Sequence, residues 1–390
     1  MQTETLANGL PINSHTALSI PAYWRAMNFL ADNLASFGRS VFKDGAPVEK
    51  PHPLDKILKR EPNPMQSAFD FWRTFFFHVE HRGNGYAYIR RPSPVSQDVA
   101  ELHNLLPEDV RPFRIIPESG NVFDASVWYY HAPSRAALPA ADVIHCKGLA
   151  HDGLLGYEPC EVMRGVLERA KSLERYAFKY LDKGSLIKGS IEMPAGTTKE
   201  QADEIVSNLM QYRQKTNERD VLVLTGGATL NNKTISATDS KLIEQDRELT
   251  KKIAQITGVS PQYLFEQSES KYNNSVEQAG LDVVRFTFRN RLVSIESELS
   301  RKLLAGVERD AGYEIKLNAD ALLRGDTKTQ TDTVVSTVAG GIRTKNEGRA
   351  VLGLPKDSSP ESDTLLTPHA VASAPTDAKQ KDAADAIAAD

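Results

Sequence analysis

Near the end of this 390-residue chain, Leu281, Val284, Phe288, Leu292, Ile295, Leu299 and Leu303 recur at three- and four-residue steps, the spacing of one helix face. A helix starting near Ser275 and keeping that register is about 45 Å long at 1.5 Å per residue, longer than most domain cores need. It predicts a structural spine. A second long helix is predicted over 159–183, where Met163, Val166, Ala170, Leu173, Ala177 and Tyr180 form a narrow apolar seam that ends at Gly184. Its other faces mix Arg164, Arg169, Lys171, Arg175, Lys179 and Lys183 with Glu161, Glu168 and Glu174.

The remaining signals alternate between helix and strand. A helix over 19–37 has Pro21 near its start and Gly38 as a stop; a short one over 52–59 ends before Pro62-Asn63-Pro64. A third, over 67–81, breaks at Gly83-Asn84-Gly85 and leads into strands over 86–89, 102–106, 110–116, 127–131 and 143–147. The class is therefore α+β. Residues 185–238 form a smaller strand–helix–strand unit, its helix opened by a capping box of Thr198 and Gln201. A helix over 240–257 closes at Gly258 and Pro261, followed by a polar stretch over 266–274. After a strand over 314–318 and two short helical pieces, the Ala-, Asp-, Pro- and Ser-rich tail from 358 lacks the apolar content to order itself.

With 47 Lys and Arg against 51 Asp and Glu, the net charge of -4 argues against a protein that coats nucleic acid through a basic surface. Cys146 and Cys160 have no metal-type spacing and read as buried small hydrophobes in a reducing compartment. No apolar run is long enough for a membrane span, and MQTETLANGL lacks a basic region followed by an apolar one.

One motif competes for a catalytic reading. The strand-like run 221–225 leads into Gly227-Ala228-Thr229-Leu230-Asn231-Asn232-Lys233-Thr234, a degenerate phosphate loop. Asn232 stands where such a loop needs Gly, and the β-leaning run Ile235-Ser236-Ala237-Thr238 predicts no helix to aim at a phosphate. A nucleotide hydrolase using Lys233 and Thr234 is the alternative. His78 and His81 lie on neighbouring helical turns but want a third ligand, and are expected to be surface or interface histidines. His145 and Cys146 fall on opposite faces of a strand, with His151 close by in sequence. No catalytic, metal or cofactor site is assigned. The polar stretch reads either as an ordinary helix-to-helix connection or as a loop whose Lys271, Tyr272, Asn273 and Asn274 touch a phosphate backbone without reading bases.

The order of landmarks carries a resemblance. His52-Pro53-Leu54, Pro62-Asn63-Pro64, Gly83-Asn84-Gly85-Tyr86-Ala87-Tyr88 and Leu105-Leu106-Pro107-Glu108-Asp109-Val110 come first. Asp152-Gly153-Leu154-Leu155-Gly156-Tyr157-Glu158-Pro159, Ile253 to Pro261, Tyr272-Asn273-Asn274-Ser275-Val276-Glu277-Gln278 and Gly341-Ile342-Arg343-Thr344-Lys345-Asn346-Glu347 before Gly353-Leu354-Pro355 follow. Together over roughly 18–355 these resemble the compact portal proteins of long-tailed, double-stranded DNA phages. The resemblance implies a wing (1–158), stem helices (159–184 and 239–262) flanking a clip (185–238), and a tunnel loop (263–274) whose Lys271, Tyr272, Asn273 and Asn274 line a DNA channel. It further implies a spine and second wing part (275–325), a short helical crown (326–357) and a disordered tail (358–390). The implied protein has no catalytic site and no cofactor. It forms a ring of twelve copies at one capsid vertex, and works in the virion after assembly in the host cytoplasm. Its implied partners are the large terminase subunit, head–tail connector proteins, the major capsid protein and double-stranded DNA held without sequence specificity; no membrane is involved. A head or tail scaffold lacking a channel is the third reading.

Overall fold

The computed structural model describes residues 12–48, 50–182, 190–192, 198–200, 203, 207, 229–231, 236–264, 281–319 and 327–366. The chain opens with α1 (Ser14–Ala17), α2 (Pro21–Ser36), β1 (Gly38–Lys43), β2 (Ala46–Pro47), α3 (Leu54–Lys59) and α4 (Ala68–Arg82). Next come β3 (Asn84–Arg90), β4 (Glu101–Leu105), β5 (Val110–Ile115), β6 (Ser126–His131), β7 (Ala136–Pro139) and β8 (Val143–Lys147). Then follow α5 (Pro159–Val162), α6 (Arg164–Asp182), β9 (Ser190–Glu192), β10 (Thr229–Asn231) and α7 (Ser236–Thr257). The C-terminal elements are a π-helical stretch Val283–Phe288, α8 (Arg289–Leu303), α9 (Gly306–Asp310), β11 (Tyr313–Asn318), α10 (Thr327–Ala339) and α11 (Lys345–Val351). Two compact units result, one from Met1–Phe29, Glu80–Gly83 and Gly148–Ser268, the other from Leu30–Val79, Asn84–Lys147 and Glu269–Asp390.

The second unit is layered. In the sheet ordered β4-β3-β8, Gly85, Ala87, Asn104, Ile144 and Cys146 share one face by register, and Tyr86, Tyr88, Leu105, Val143 and His145 the other. Helix α4 lies on the first face, because Asn104 Nδ2 donates to the Phe71 carbonyl at 2.9 Å and a Cβ at Gly85 would press into Val79 and the Phe75 carbonyl. The sheet ordered β5-β6-β7 covers the second, with Val110 and Tyr129 in one core with Tyr86, Leu105 and Val143. Both faces of β8 are thus buried, which is why His145 and Cys146 are each under 5% exposed.

His145 Nε2 lies 3.1 Å from Asn84 Oδ1 and Nδ1 lies 3.2 Å from the Tyr129 hydroxyl, an arrangement that fits a neutral ring with its proton on Nε2. Burial, then the charges of Lys147, Lys302 and Arg301, push its pKa down to about 3. The unfolded chain protonates this ring near pH 6.5 and the folded chain refuses the proton, so the contribution is complete above 6.5 and falls as pH drops towards 3. Each pH unit in that window is expected to cost about 1.4 kcal/mol. Urea unfolding at pH 7, 6 and 5 checks this: the wild type should lose stability faster than His145→Gln, and equal slopes would sink the assignment.

Helix α8 joins this layer to a third sheet through polar side chains. Glu298 Oε1 accepts from the His145 amide on β8 at 3.2 Å, while Glu296 Oε1 and Ser300 Oγ accept from the Leu317 and Ile315 amides of β11 at 2.7 and 2.9 Å. Edge strands that would otherwise expose amides are satisfied by one helix. β11 in turn pairs antiparallel with β1 from Gly38↔Asn318 to Lys43↔Tyr313. The π-helical stretch shifts the expected apolar face: Leu281 is 43% exposed and Val283, not Val284, is buried, before Phe288, Leu292, Ile295, Leu299 and Leu303 resume the seam. A π turn holds one residue more than an α turn and so rotates the preceding face.

The tail expected to be disordered from 358 is held further along than that. Asn346, 3% exposed, bonds Asp357 through both its amide nitrogen and its oxygen and reaches Asp363 Oδ1 at 2.8 Å; Ser362 is buried against Asp357. Polar capping, not apolar content, orders residues 358–366. Residues 367–390 lie outside the described set.

Candidate functional site

In the first unit, short-range signals converge on one backbone junction. Gly83 has φ +69, and the amide of Gly148 donates to its carbonyl at 2.9 Å. Asp152 Oδ1 accepts from the Leu154 and Leu155 amides at 2.8 and 3.0 Å, Gly153 takes φ +72, and Ala150 bridges Gly156, which brings Gly156 against the Gly83 carbonyl. Glu158 then pairs with Arg82 at 3.1 Å and accepts from Cys160 Sγ at 3.2 Å. The motif Asp152–Pro159 is therefore a latch that seats the start of α5. Cys160 is buried as expected, and burial with Glu158 beside it pushes its thiol up to about 12, so it is protonated and unreactive.

From that latch run the long helices. The predicted single helix over 159–183 is two pieces, α5 and α6, separated at Met163, whose side chain is 1% exposed. Of the seam as read, Val166, Ala170, Leu173 and Ala177 are half-buried, Leu167 joins it fully buried, and the Tyr180 side chain lies outside the described set. Helix α6 packs on α7, and Leu167, Leu249 and Ile253 on these helices are buried. Between these two helices and the first turn of α2 opens an apolar cavity of about 680 Å³, lined by Ile20, Leu173, Ala177, Ile243 and Leu264 with Arg25, Glu174 and Asp246. Val162 on α5, Phe178 on α6 and Ile243 on α7 are 65, 66 and 59% exposed. Exposed apolar side chains on helices that border an open cavity make this a candidate interaction surface. Lys171–Glu174 and Glu248–Lys251 pair within α6 and α7 at 2.8 and 3.1 Å, and Glu161 on α5 pairs with Arg164 on α6 at 3.8 Å.

The competing motif loses its geometry. Thr229, Leu230 and Asn231 form β10, paired in register with Glu192, Ile191 and Ser190 of β9. Extended, ladder-bonded residues cannot wrap a phosphate with successive amides. Helix α7 nonetheless begins at Ser236, where a β-leaning run was read. Lys233 and Thr234 lie outside the described residues, as do 186–189 and 201–202 of the predicted clip unit and its strand over 220–225.

The histidines are not at the surface. His81, 4% exposed, sits with Nδ1 3.1 Å from the Tyr23 hydroxyl, and burial raises that phenol's pKa. His78 is 9% exposed. Both were expected as surface or interface residues; instead they are buried, His81 with its ring 5.9 Å from that of Tyr23 on α2 and His78 with its ring 6.3 Å from that of Phe77 on α4. Among the described residues no group of three or more His, Cys, Asp or Glu is placed to hold a metal ion, and no helix is long and apolar enough to cross a membrane. Lys271, Tyr272, Asn273 and Asn274 fall outside the described residues.

Comparison with known proteins agrees with the landmark order. The chain is 22% identical over 355 residues to the portal protein of Enterobacteria phage HK97, covering 88% of this chain and 81% of that one. Its fold is similar to a crystal structure of an HK97-family phage portal protein from Corynebacterium diphtheriae, at 15% identity and TM-score 0.54 over 82% of this chain and 99% of that one. It is also similar to a chain from the neck of a native gene transfer agent particle computed with C12 symmetry, at 18% identity and TM-score 0.55 over 88 and 92%. The model of the phage portal protein family matches residues 21–353, and the chain belongs to that family.

Proposed function

We propose that this portal protein forms a ring, of twelve copies, at one vertex of a phage-type capsid. Double-stranded DNA enters and leaves through its centre, and the ring acts as a conduit and docking platform rather than as an enzyme. The observation that carries the reading is the α6–α7 groove: one chain leaves an apolar cavity open on long amphipathic helices, and a neighbouring copy in a closed ring covers it heterologously. The mildly acidic composition suits a channel for sliding DNA, since each phosphate neutralised adds affinity and therefore friction.

In this reading α6 and α7 are the stem, β9 and β10 belong to the clip, the two layered sheets belong to the wing, α8 is the spine, and α10 with α11 form the crown. The clip meets the large terminase subunit during packaging and connector proteins afterwards; the shell contact is with the major capsid protein. Lys271, Tyr272, Asn273 and Asn274 form the tunnel loop that touches the passing duplex.

Electron microscopy and native mass spectrometry of the purified protein test the ring, which should show a central opening. A persistent monomer at high concentration sinks the proposal, and an oligomer without an opening favours a channel-less scaffold. For the loop, Lys271→Ala with Tyr272→Ala should reduce packaged DNA several-fold while rings stay intact. Unchanged DNA content would remove the loop from the mechanism.

A further inference from the structure

The sheet β5-β6-β7 buries only one of its faces. Register places Val110, Pro112, Tyr129, Val127 and Leu138 inward, in or against the core, and Phe113, Trp128 and Pro139 outward in one cross-strand row, with Arg111, Tyr130 and Ala137 in the next and Ile115 beside them. Phe113, Ile115 and Tyr130 are 36, 45 and 40% exposed, although the fold needs none of them outside. Aromatic residues and arginine on a face the core does not use are the composition of interface hot spots. The three strands, Val-Arg-Pro-Phe-Arg-Ile, Ser-Val-Trp-Tyr-Tyr-His and Ala-Ala-Leu-Pro, carry Arg111 and Arg114 and no carboxylate. Pro112 sits within edge strand β5 and Pro139 ends edge strand β7, so neither edge suits addition of a further strand. The open face, not the edges, is therefore available.

We infer that this outer face docks a separate polypeptide through a segment that carries carboxylates among apolar side chains. The apolar groups lie across the Phe113–Trp128–Pro139 row, and a carboxylate meets Arg111. A nucleic-acid strand stacked on the aromatics is the less favoured occupant: only one cation stands on the outer rows, too few to track a phosphate backbone. Complementary charge also sets the partner's approach and its salt dependence.

Placing the photo-crosslinker p-benzoyl-phenylalanine at Phe113 of the full-length chain, in cells assembling particles, tests this. The expected adduct joins a different polypeptide at a segment containing Asp or Glu among apolar residues, and Arg111→Glu lowers its yield at least tenfold. Native mass spectrometry and thermal unfolding of the Arg111→Glu protein, whose side chain is exposed, should match wild type. Four outcomes overturn the inference. They are an adduct to nucleic acid, an adduct to another part or copy of this chain, a yield no greater than with the same probe at exposed Val95, and a yield indifferent to Arg111→Glu.

Discussion

Gly83→Ala is expected to destabilise the first unit by about 4 kcal/mol, lowering its unfolding midpoint by roughly 10 °C. Two penalties add. At φ +69 any side chain is strained, and a Cβ there collides with the Tyr157 carbonyl oxygen, with the carbonyl carbon only 2.7 Å away. Neither obstacle is a flexible side-chain end that could swing aside. The Tyr157 backbone is itself held by the hydrogen bond its N–H donates to the Leu149 carbonyl at 2.8 Å, so relief means opening the latch that seats α5. Gly153→Ala is the control. Its φ of +72 carries the same backbone strain, but nothing lies within 4 Å of the added methyl, so it should cost only about 1 kcal/mol. Thermal unfolding of the three proteins separates the terms, and equal losses in both variants would show that the close approach at Tyr157 contributes nothing.

Ile243→Glu is expected to dissolve the ring while leaving the single chain folded. Ile243 is 59% exposed in the isolated subunit, so its replacement costs the monomer little. A neighbour covering the groove would bury the new carboxylate next to Asp246 and Glu174, which line the same cavity, with Arg25 as the cation lining it. Burying an unpaired charge of that kind costs about 3 kcal/mol per interface, roughly 100-fold in each association constant, and a closed ring suffers it at every junction. Native mass spectrometry should show monomers where the wild type shows rings, with an unchanged unfolding midpoint. Intact rings would place the subunit contact elsewhere.

Much of the element order was legible from local signals, for identifiable reasons. Pro21, Gly38, Pro62 and Gly83 punctuate the chain, and most predicted helices and strands lie within a few residues of those found, since stop signals act through backbone sterics and need no partner. The misses have one cause in common. β1 was not read at all, because Gly-Arg-Ser-Val-Phe-Lys has little strand character alone and becomes a strand by pairing with β11, nearly 300 residues away. Arg39 within it is 5% exposed, its guanidinium over Trp72 and donating to the Leu34, Ala35 and Leu58 carbonyls, which satisfy a charge that sequence marks as a surface residue. Burial takes its pKa down to about 9, still charged at neutral pH. The order of residues 358–366 was likewise set by hydrogen bonds across space, from Asn346 to Asp357 and Asp363.

The spine shows the division plainly. The apolar spacing from Leu281 to Leu303 determined that a long helix exists and, from Phe288 onward, which face it buries, because a 3.6-residue period is a property of the chain itself. It could not determine the π turn at Val283–Phe288, nor that Glu296, Glu298 and Ser300 turn from ordinary polar positions into acceptors for two edge strands. Those bonds need amides supplied by β8 and β11. Only the tertiary structure brings them to the helix, since the energy of a buried hydrogen bond depends on a partner that sequence spacing does not locate.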